Sequence, residues 1–343
     1  MSQTLKIVIL AAGWATRLRP QTWSKPKPLI GVAGKTVLEH LLDTFKTAPP
    51  EMDVEYVFIV SLGFGAQQIP AYMEKHHPDL KVHYVIQEVM RGQSDALYLA
   101  HEHLTGPTLM VFSDTLIETD FSSLDRETAN GVAWVKDVPD PRRFGVAKLD
   151  PQGWITELEE KPQSFDNTLA VVGCYYFRDG CELVSAIEEQ FLRKLQFRDE
   201  FFLVHALNIM LERGAKLRTQ VVDVWLDTGT IEATLETNRY LLEHGCGNTE
   251  SVKRTGVTVL PPVFIHETAE IRASVIGPNV SVGAKCVITG SRVENSILEE
   301  EAAVESAALN GSFIGRQAQV RGRSAESPPL KLNIGDNSSV VVE

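Results

Sequence analysis

Leu5-Lys6-Ile7-Val8-Ile9-Leu10-Ala11 runs directly into Ala12-Gly13-Trp14-Ala15-Thr16-Arg17-Leu18-Arg19-Pro20. The apolar residues of the first segment are continuous rather than alternating, the pattern of a strand buried on both faces of a parallel sheet. Two further runs of this kind occupy residues 56–60 and 109–112. Between them, residues 36–48 place Val37, Leu38, Leu41, Leu42 and Phe45 at helical spacing, and residues 94–104 do the same with Leu97, Leu99, Ala100 and Leu104. Strands alternating with helices predict right-handed crossovers and an α/β fold with a doubly wound sheet. Ligands of such sheets sit beyond the carboxyl ends of the strands, so the loops after these runs are where chemistry is expected.

Between residues 131 and 177 the pattern becomes strands and turns, with strands expected at 144–150, 154–158 and 170–177. The sheet is therefore expected to be mixed, though mainly parallel. Helices resume at 183–191 and 201–212, and a strand at 217–224 leads into Trp225-Leu226-Asp227-Thr228-Gly229-Thr230 and a helix reaching His244. Gly245-Cys246-Gly247-Asn248 then breaks the chain. Beyond it, hexads led by aliphatic residues begin at Ile265, Ile271, Ile276, Val282, Ile288, Ile314 and Val320, slipping by one between Ile271 and Ile276 and blurred over 293–313. Such a hexad points one side chain per short strand into a triangular parallel β-helix. The expected organisation is a catalytic domain at 1–244, a linker at 245–256, a small β-helix at 257–322 and a loosely ordered tail at 323–343.

A length of 343 residues suits two domains, and 43% hydrophobic with 23% charged residues suits a folded chain. The net charge of -12 argues against a general nucleic-acid binder, so any phosphate site must be a local cluster of Lys and Arg. Cys174, Cys181, Cys246 and Cys286 form no C-x-x-C pair and are expected to be reduced core thiols, not a zinc or disulfide framework. The first apolar run is too short for a signal peptide or membrane span, which points to the cytoplasm and away from a membrane partner.

The first loop continues to Ser24-Lys25-Pro26-Lys27-Pro28-Leu29. With it, the chain resembles the sugar-1-phosphate nucleotidylyltransferases, whose first loop reads L-x-x-G-x-G-T-R-L-x-P followed shortly by P-K-P or S-K-Q. The resemblance implies a Rossmann-like catalytic domain, here with an appended left-handed β-helix. It makes Leu10, Ala12, Gly13 and Thr16 nucleotide-binding, with Arg17 and Lys27 supplying positive charge to the triphosphate. It also implies that Gln87 and Gly92 meet the base, that Asp114 and Asp227 bind the metal, that Gly145, Glu160 and Val171 hold the sugar, and that Lys161 binds the attacking phosphate. The motifs carrying these are Gln87-Glu88-Val89-Met90-Arg91-Gly92, Val111-Phe112-Ser113-Asp114, Trp225-Leu226-Asp227, Phe144-Gly145-Val146, Glu159-Glu160-Lys161-Pro162 and Ala170-Val171-Val172-Gly173. Ala15 stands where the pattern has its second glycine; a positive φ there would strain an alanine by about 1 to 2 kcal/mol.

The resemblance further implies Mg²⁺, which suits two carboxylates completed by phosphates and water. The reaction implied is transfer of a nucleotidyl group from dTTP to glucose 1-phosphate with release of pyrophosphate. UTP, or GTP with mannose 1-phosphate, is the alternative within the class; a non-catalytic sugar-nucleotide sensor is the alternative outside it. An acyltransferase is disfavoured because His266 is the only His after the linker. The β-helix, with faces and edges to cover, is expected to mediate a homo-oligomer. His101 and His103 stand two residues apart on a predicted helix, so their imidazoles point to different faces and do not chelate; His76-His77 reads as an exposed C-terminal cap, and Asp137, Asp140, Arg142 and Arg143 as a polar turn around Pro139 and Pro141.

Overall fold

The computed structural model describes residues 3–249 and 256–342; residues 250–255 of the expected linker and residue 343 of the expected tail lie outside the described residues. Two compact units emerge. One joins the residues up to Gly13 to Leu41–Trp225, and the other joins Trp14–His40 to the described residues from Leu226 onward. This partition differs from the expected 1–244 and 257–322: the signature loop and the helix after Asp227 group with the β-helix, to which their polar side chains are bonded.

The first unit is built on a nine-stranded mixed sheet. Its strands are β1 (Thr4–Ala11), β2 (Asp53–Ser61), β3 (Val82–Gln87), β4 (Thr108–Phe112), β5 (Gly131–Asp137), β6 (Gly145–Leu149), β7 (Ile155–Glu160), β8 (Leu169–Phe177) and β9 (Leu217–Val221). Their order is β7-β6-β8-β4-β1-β2-β3, with β5 also against β8 and β9 against β5. β1 lies parallel to β2 and β4, whereas β8 runs antiparallel to β4, β5 and β6. Leu5, Ile7, Val8 and Ile9 are all fully buried, which is why their run does not alternate. Helix α1 (Val37–Phe45) runs across the boundary between His40 and Leu41, and the helices wholly within this unit are α2 (Phe64–His76), α3 (Gln93–Leu99), α4 (Gly180–Arg193) and α5 (Leu203–Glu212).

Three sequence expectations are corrected here. The strand expected to run to residue 224 ends at Val221 and a separate one begins at Trp225. The helix expected to reach 104 stops at Leu99 and tightens into a 3₁₀ turn at His101–His103, a change that apolar spacing alone does not reveal. Cys174 and Cys286 are buried thiols, but Cys181 is exposed and Cys246 half-buried, so only two of the four belong to the core.

The second unit holds α6 (Ile231–Leu241) and a β-helix of three parallel sheets. Inward side chains stack in ladders: Ile265, Val282, Leu298, Ile314 and Ile334 on one face, Ile271, Ile288, Val304, Val320 and Val340 on the next. Val259, Ile276, Val293 and Leu309 form the third. Asn279 donates to Asn295, and Asn295 to Asn310, in a polar ladder. The region expected to be blurred is regular: Val293 pairs with Leu309 and Leu298 with Ile314, and left-handed Asn295, Glu301 and Ser306 lie at the corners between its short strands. The tail expected to be loose instead adds strands Asn333–Ile334 and Ser339–Val341 to the sheets.

Candidate functional site

In the first unit the expected residues gather at the ends of β1, β3, β4 and β7. Parallel pairing sets Leu10 against Phe112, and Ser113 N–H donates to Leu10 O at 3.2 Å. That bond ties the loop carrying Asp114 to the loop carrying Ala12 and Gly13. Ala12 is buried, while a Cβ at Gly13 would meet nothing within 4 Å, leaving the backbone open. Gln87 ends β3 and is nearly buried; its Nε2 donates to Gly92 O at 3.3 Å and to Asp95 Oδ2 at 3.1 Å. Both partners are acceptors, so the amide orientation is set by chemistry and Oε1 is left as that side chain's acceptor. Gly92, at φ 108°, packs so closely that a Cβ would lie 2.6 Å from Phe201 N and O.

β6, β7 and β8 bring the sugar-side candidates together. A Cβ on Gly145 would stand 3.0 Å from Val171 Cγ2 and 3.3 Å from Glu160 Oε2. Gly145 and Glu160 are register partners, and Lys161 N–H donates to Phe144 O at 2.9 Å. Strand β7 extends through Glu160, beyond its expected end at 158, which places the carboxylate on the sheet and Lys161 just past it. Lys161 turns there with φ 48°, its Nζ 3.4 Å from Glu160 Oε1 and 4.3 Å above the Phe202 ring. Burial pushes the Glu160 carboxyl above its ordinary range, against the pull of Lys161. At Gly173, φ 82° and a Phe112 ring where any Cβ would stand enforce a kink in the stretch where the β5–β8 register shifts, leaving Ala170 beside Val146.

In the second unit Thr16 and Arg17 form a 3₁₀ turn whose preceding residue, Ala15, has φ 45° and ψ 45°. The glycine-type conformation is thus kept without the glycine. Arg17 and Asp227 converge on Gly229, whose hypothetical Cβ would lie 2.8 Å from Asp227 Oδ1 and 3.4 Å from an Arg17 guanidinium nitrogen. Gly229 N–H donates to Asp227 Oδ1 at 2.7 Å and Thr237 Oγ1 to Asp227 O at 2.8 Å, so the residue is held through both its side chain and its backbone. Lys27 is nearly buried at the start of a 3₁₀ turn, Lys27–Leu29.

The Nucleotidyl transferase family matches residues 6–244 and the GMPPB C-terminal domain matches residues 259–325. The chain belongs to the nucleotidyl transferase family. The nucleotidyltransferase is 32% identical to a glucose-1-phosphate thymidylyltransferase of Streptomyces antibioticus, over 99% of this chain and 100% of that one. It is 27% identical to a low-salt glycan biosynthesis nucleotidyltransferase of Haloferax volcanii, over 98% of this chain and 99% of the other. A solved UDP-glucose pyrophosphorylase with UDP-glucose shares the fold, with TM-score 0.59 at 18% identity over 71% of this chain and 100% of that chain.

The family's reaction uses a divalent metal ion. Among the described residues no group of three or more His, Cys, Asp and Glu stands ready to hold one. Asp114 in the first unit and Asp227 in the second each offer a carboxylate, the kind of donor that suits a hard cation completed by phosphate oxygens and water. Of the residues set aside, Arg142 pairs with Asp140 and lies over the Phe165 ring, and His103 stacks on His83. Sequence reasoning missed the aromatic wall of Lys161, made by Phe197 and Phe202, and the seat of Gly92 on Phe201. The cluster Phe197-Arg198-Asp199-Glu200-Phe201-Phe202 was its only local signal, an aromatic-rich turn with no period.

Proposed function

We propose that this nucleotidyltransferase transfers the thymidylyl group of dTTP to glucose 1-phosphate, giving the nucleotide sugar and pyrophosphate. Sugar-1-phosphate nucleotidylyl transfer is its reaction class. The observation that carries the reading is the meeting of Gly145, Glu160 and Val171 beside Lys161: backbone and carboxylate for hydroxyls, ammonium for a phosphate. The full-length likeness to a glucose-1-phosphate thymidylyltransferase supports the choice of substrates. Gln87 supports the base: with Nε2 committed to Asp95 and Gly92, its Oε1 suits an imide N–H, as thymine offers. Uracil has the same donor, and guanine N1–H a similar one, so UTP and GTP with mannose 1-phosphate form the second reading.

The reaction is an in-line displacement in which a sugar-phosphate oxygen attacks the α-phosphorus and pyrophosphate leaves opposite. Two anions must be held together, and like unit charges 4 Å apart repel by about 4 kcal/mol at an effective dielectric of 20. Lys161 neutralises the attacking phosphate, and Arg17 and Lys27 the triphosphate, while the backbone of Leu10, Ala12, Gly13 and Thr16 meets its oxygens. Mg²⁺, held by Asp114 and Asp227, would supply further neutralisation of phosphate charge. Such a site belongs with nucleoside triphosphates in the cytoplasm. Self-association through the β-helix is part of the proposal, supported by apolar Val287 and Val341 on its outer surface.

Pyrophosphate release from five nucleoside triphosphates against glucose and mannose 1-phosphates is the direct test. dTTP with glucose 1-phosphate should give the highest kcat/KM, and nucleotide binding without turnover would overturn the enzymatic reading. Asp114→Asn should cut Mg²⁺-dependent turnover by roughly 10²- to 10³-fold if the ion acts like an oxyanion donor. Full retained activity would remove Asp114 from the metal site.

A further inference from the structure

Lys25 stands two residues before Lys27 in Ser24-Lys25-Pro26-Lys27-Pro28, yet its charge is used inside the second unit. Its ammonium pairs with the Glu299 carboxylate and lies 3.5 Å from Asp336 Oδ1, with side-chain exposures of 12% for Lys25, 6% for Glu299 and 2% for Asp336. Glu299 Oε1 also accepts from Gly31 N–H at 3.2 Å. Asp336 Oδ2 accepts from Ser24 Oγ at 2.6 Å, and its Oδ1 from Arg316 N–H at 2.8 Å. Gln21, fully buried, donates through Nε2 to Phe313 O at 3.1 Å and to Asn333 Oδ1 at 2.8 Å. Past the loop, Ala33 N–H donates to Asn238 Oδ1 at 2.9 Å, and the same oxygen accepts from Ser281 Oγ at 2.6 Å.

We infer that the β-helix is a positioning device for nucleotide binding. Its turns bearing Glu299, Phe313, Asn333 and Asp336 hold residues 20–31 in one conformation, and that conformation presents the cations Arg17 and Lys27. Lys25, Gln21, Glu299 and Asp336 are positioning residues. The inference rests on the proposed function only in taking Arg17 and Lys27 as triphosphate ligands. Its physical basis is that buried carboxylates are costly unless each oxygen finds a donor, so the loop arrangement that supplies Lys25, Ser24 and Gly31 is selected over alternatives that do not. Two of the four anchors, Asn333 and Asp336, come from the segment whose sequence carries no clear hexad. A loop so held loses little further entropy when a polyanion arrives.

The test uses the full chain with Glu299→Gln and Asp336→Asn, which keep shape and remove charge, and Gln21→Met, which removes two hydrogen bonds without stranding a charge. Amide hydrogen exchange over residues 15–31 should quicken at least ~10-fold, and kcat/KM for the nucleotide should fall by roughly 10- to 100-fold, as for a small misplacement of a positioned group. KM for the sugar phosphate should stay within about twofold, and Asp336→Glu should restore part of the loss, which general destabilisation would not produce. Unchanged exchange, or quickened exchange with nucleotide kinetics intact, overturns the inference. Should the acidic-site variants fail to fold, Gln21→Met decides it by the same two readouts. Exchange needs no turnover, so a wild-type chain inactive with every nucleotide would sink the functional reading while the exchange result still decides whether the coil holds the loop.

Discussion

Ala15 occupies the left-handed region at φ 45° and ψ 45°, where an L-residue stores about 1 to 2 kcal/mol. Ala15→Gly removes that strain but returns about 0.5 to 1 kcal/mol of backbone entropy to the unfolded chain. The expected result, read by thermal denaturation, is a Tm unchanged or raised by a few degrees with turnover retained; a large drop would show that the methyl group packs usefully. Glu160 gives a second prediction at this scale. Burial raises its folded pKa above the unfolded value. In the window between the two, the folded state holds a proton that the unfolded state has lost, so stability falls as pH rises through it. Glu160→Gln should therefore equal or exceed the wild type in Tm at neutral pH, while KM for the sugar phosphate rises roughly 10- to 100-fold, as when hydrogen bonds to a charged group are lost. The wild type should also lose sugar-phosphate affinity as pH falls through this raised pKa, an acid limb that the Glu160→Gln substitution abolishes. A variant that binds sugar phosphate normally would remove Glu160 from the site.

At the scale of elements, the candidate residues are brought into place by irregularities rather than by regular segments. The kink at Gly173 lets one strand serve β4 with one half and β6 with the other, and so delivers Val171 to Gly145. The turn Phe197-Arg198-Asp199-Glu200, closed by reciprocal bonds between Phe197 and Glu200, carries part of the aromatic wall that faces Lys161. The Lys161 ammonium over the Phe202 ring is worth about 0.5 to 2 kcal/mol if it behaves like other cation–π pairs. Phe202→Leu should raise KM for the sugar phosphate by roughly 2- to 30-fold with nucleotide KM unchanged. Titration calorimetry or initial rates would show it, and equal effects on both substrates would contradict a role confined to Lys161.

For the whole molecule, self-association is tested by light scattering on the intact chain and on a Val287→Asp, Val341→Asp variant. Both valines are exposed, at 45% and 63%, on the outer surface of the β-helix. The variant should shift from an oligomer toward the 38.0 kDa monomer, and an unchanged mass would exclude that surface. The sequence by itself determined the α/β sheet and the β-helix, because burial on two faces abolishes alternation in β1 and one inward side chain per hexad imposes a repeat; both are local patterns. It also marked most candidate site residues, because glycine-rich loops and paired charges sit next to those strands in the chain. Tertiary structure alone decided that Lys25, two residues from Lys27, is a half-buried tether, and that Gln87 commits its amide nitrogen to Asp95. It alone joined residues 14–40 to the β-helix and ordered the final coil around Asp336. The physical reason is the same in each case: a buried polar group is satisfied by whatever partner the fold brings within reach, often hundreds of residues away, and no spacing along the chain encodes which carboxylate a lysine will meet.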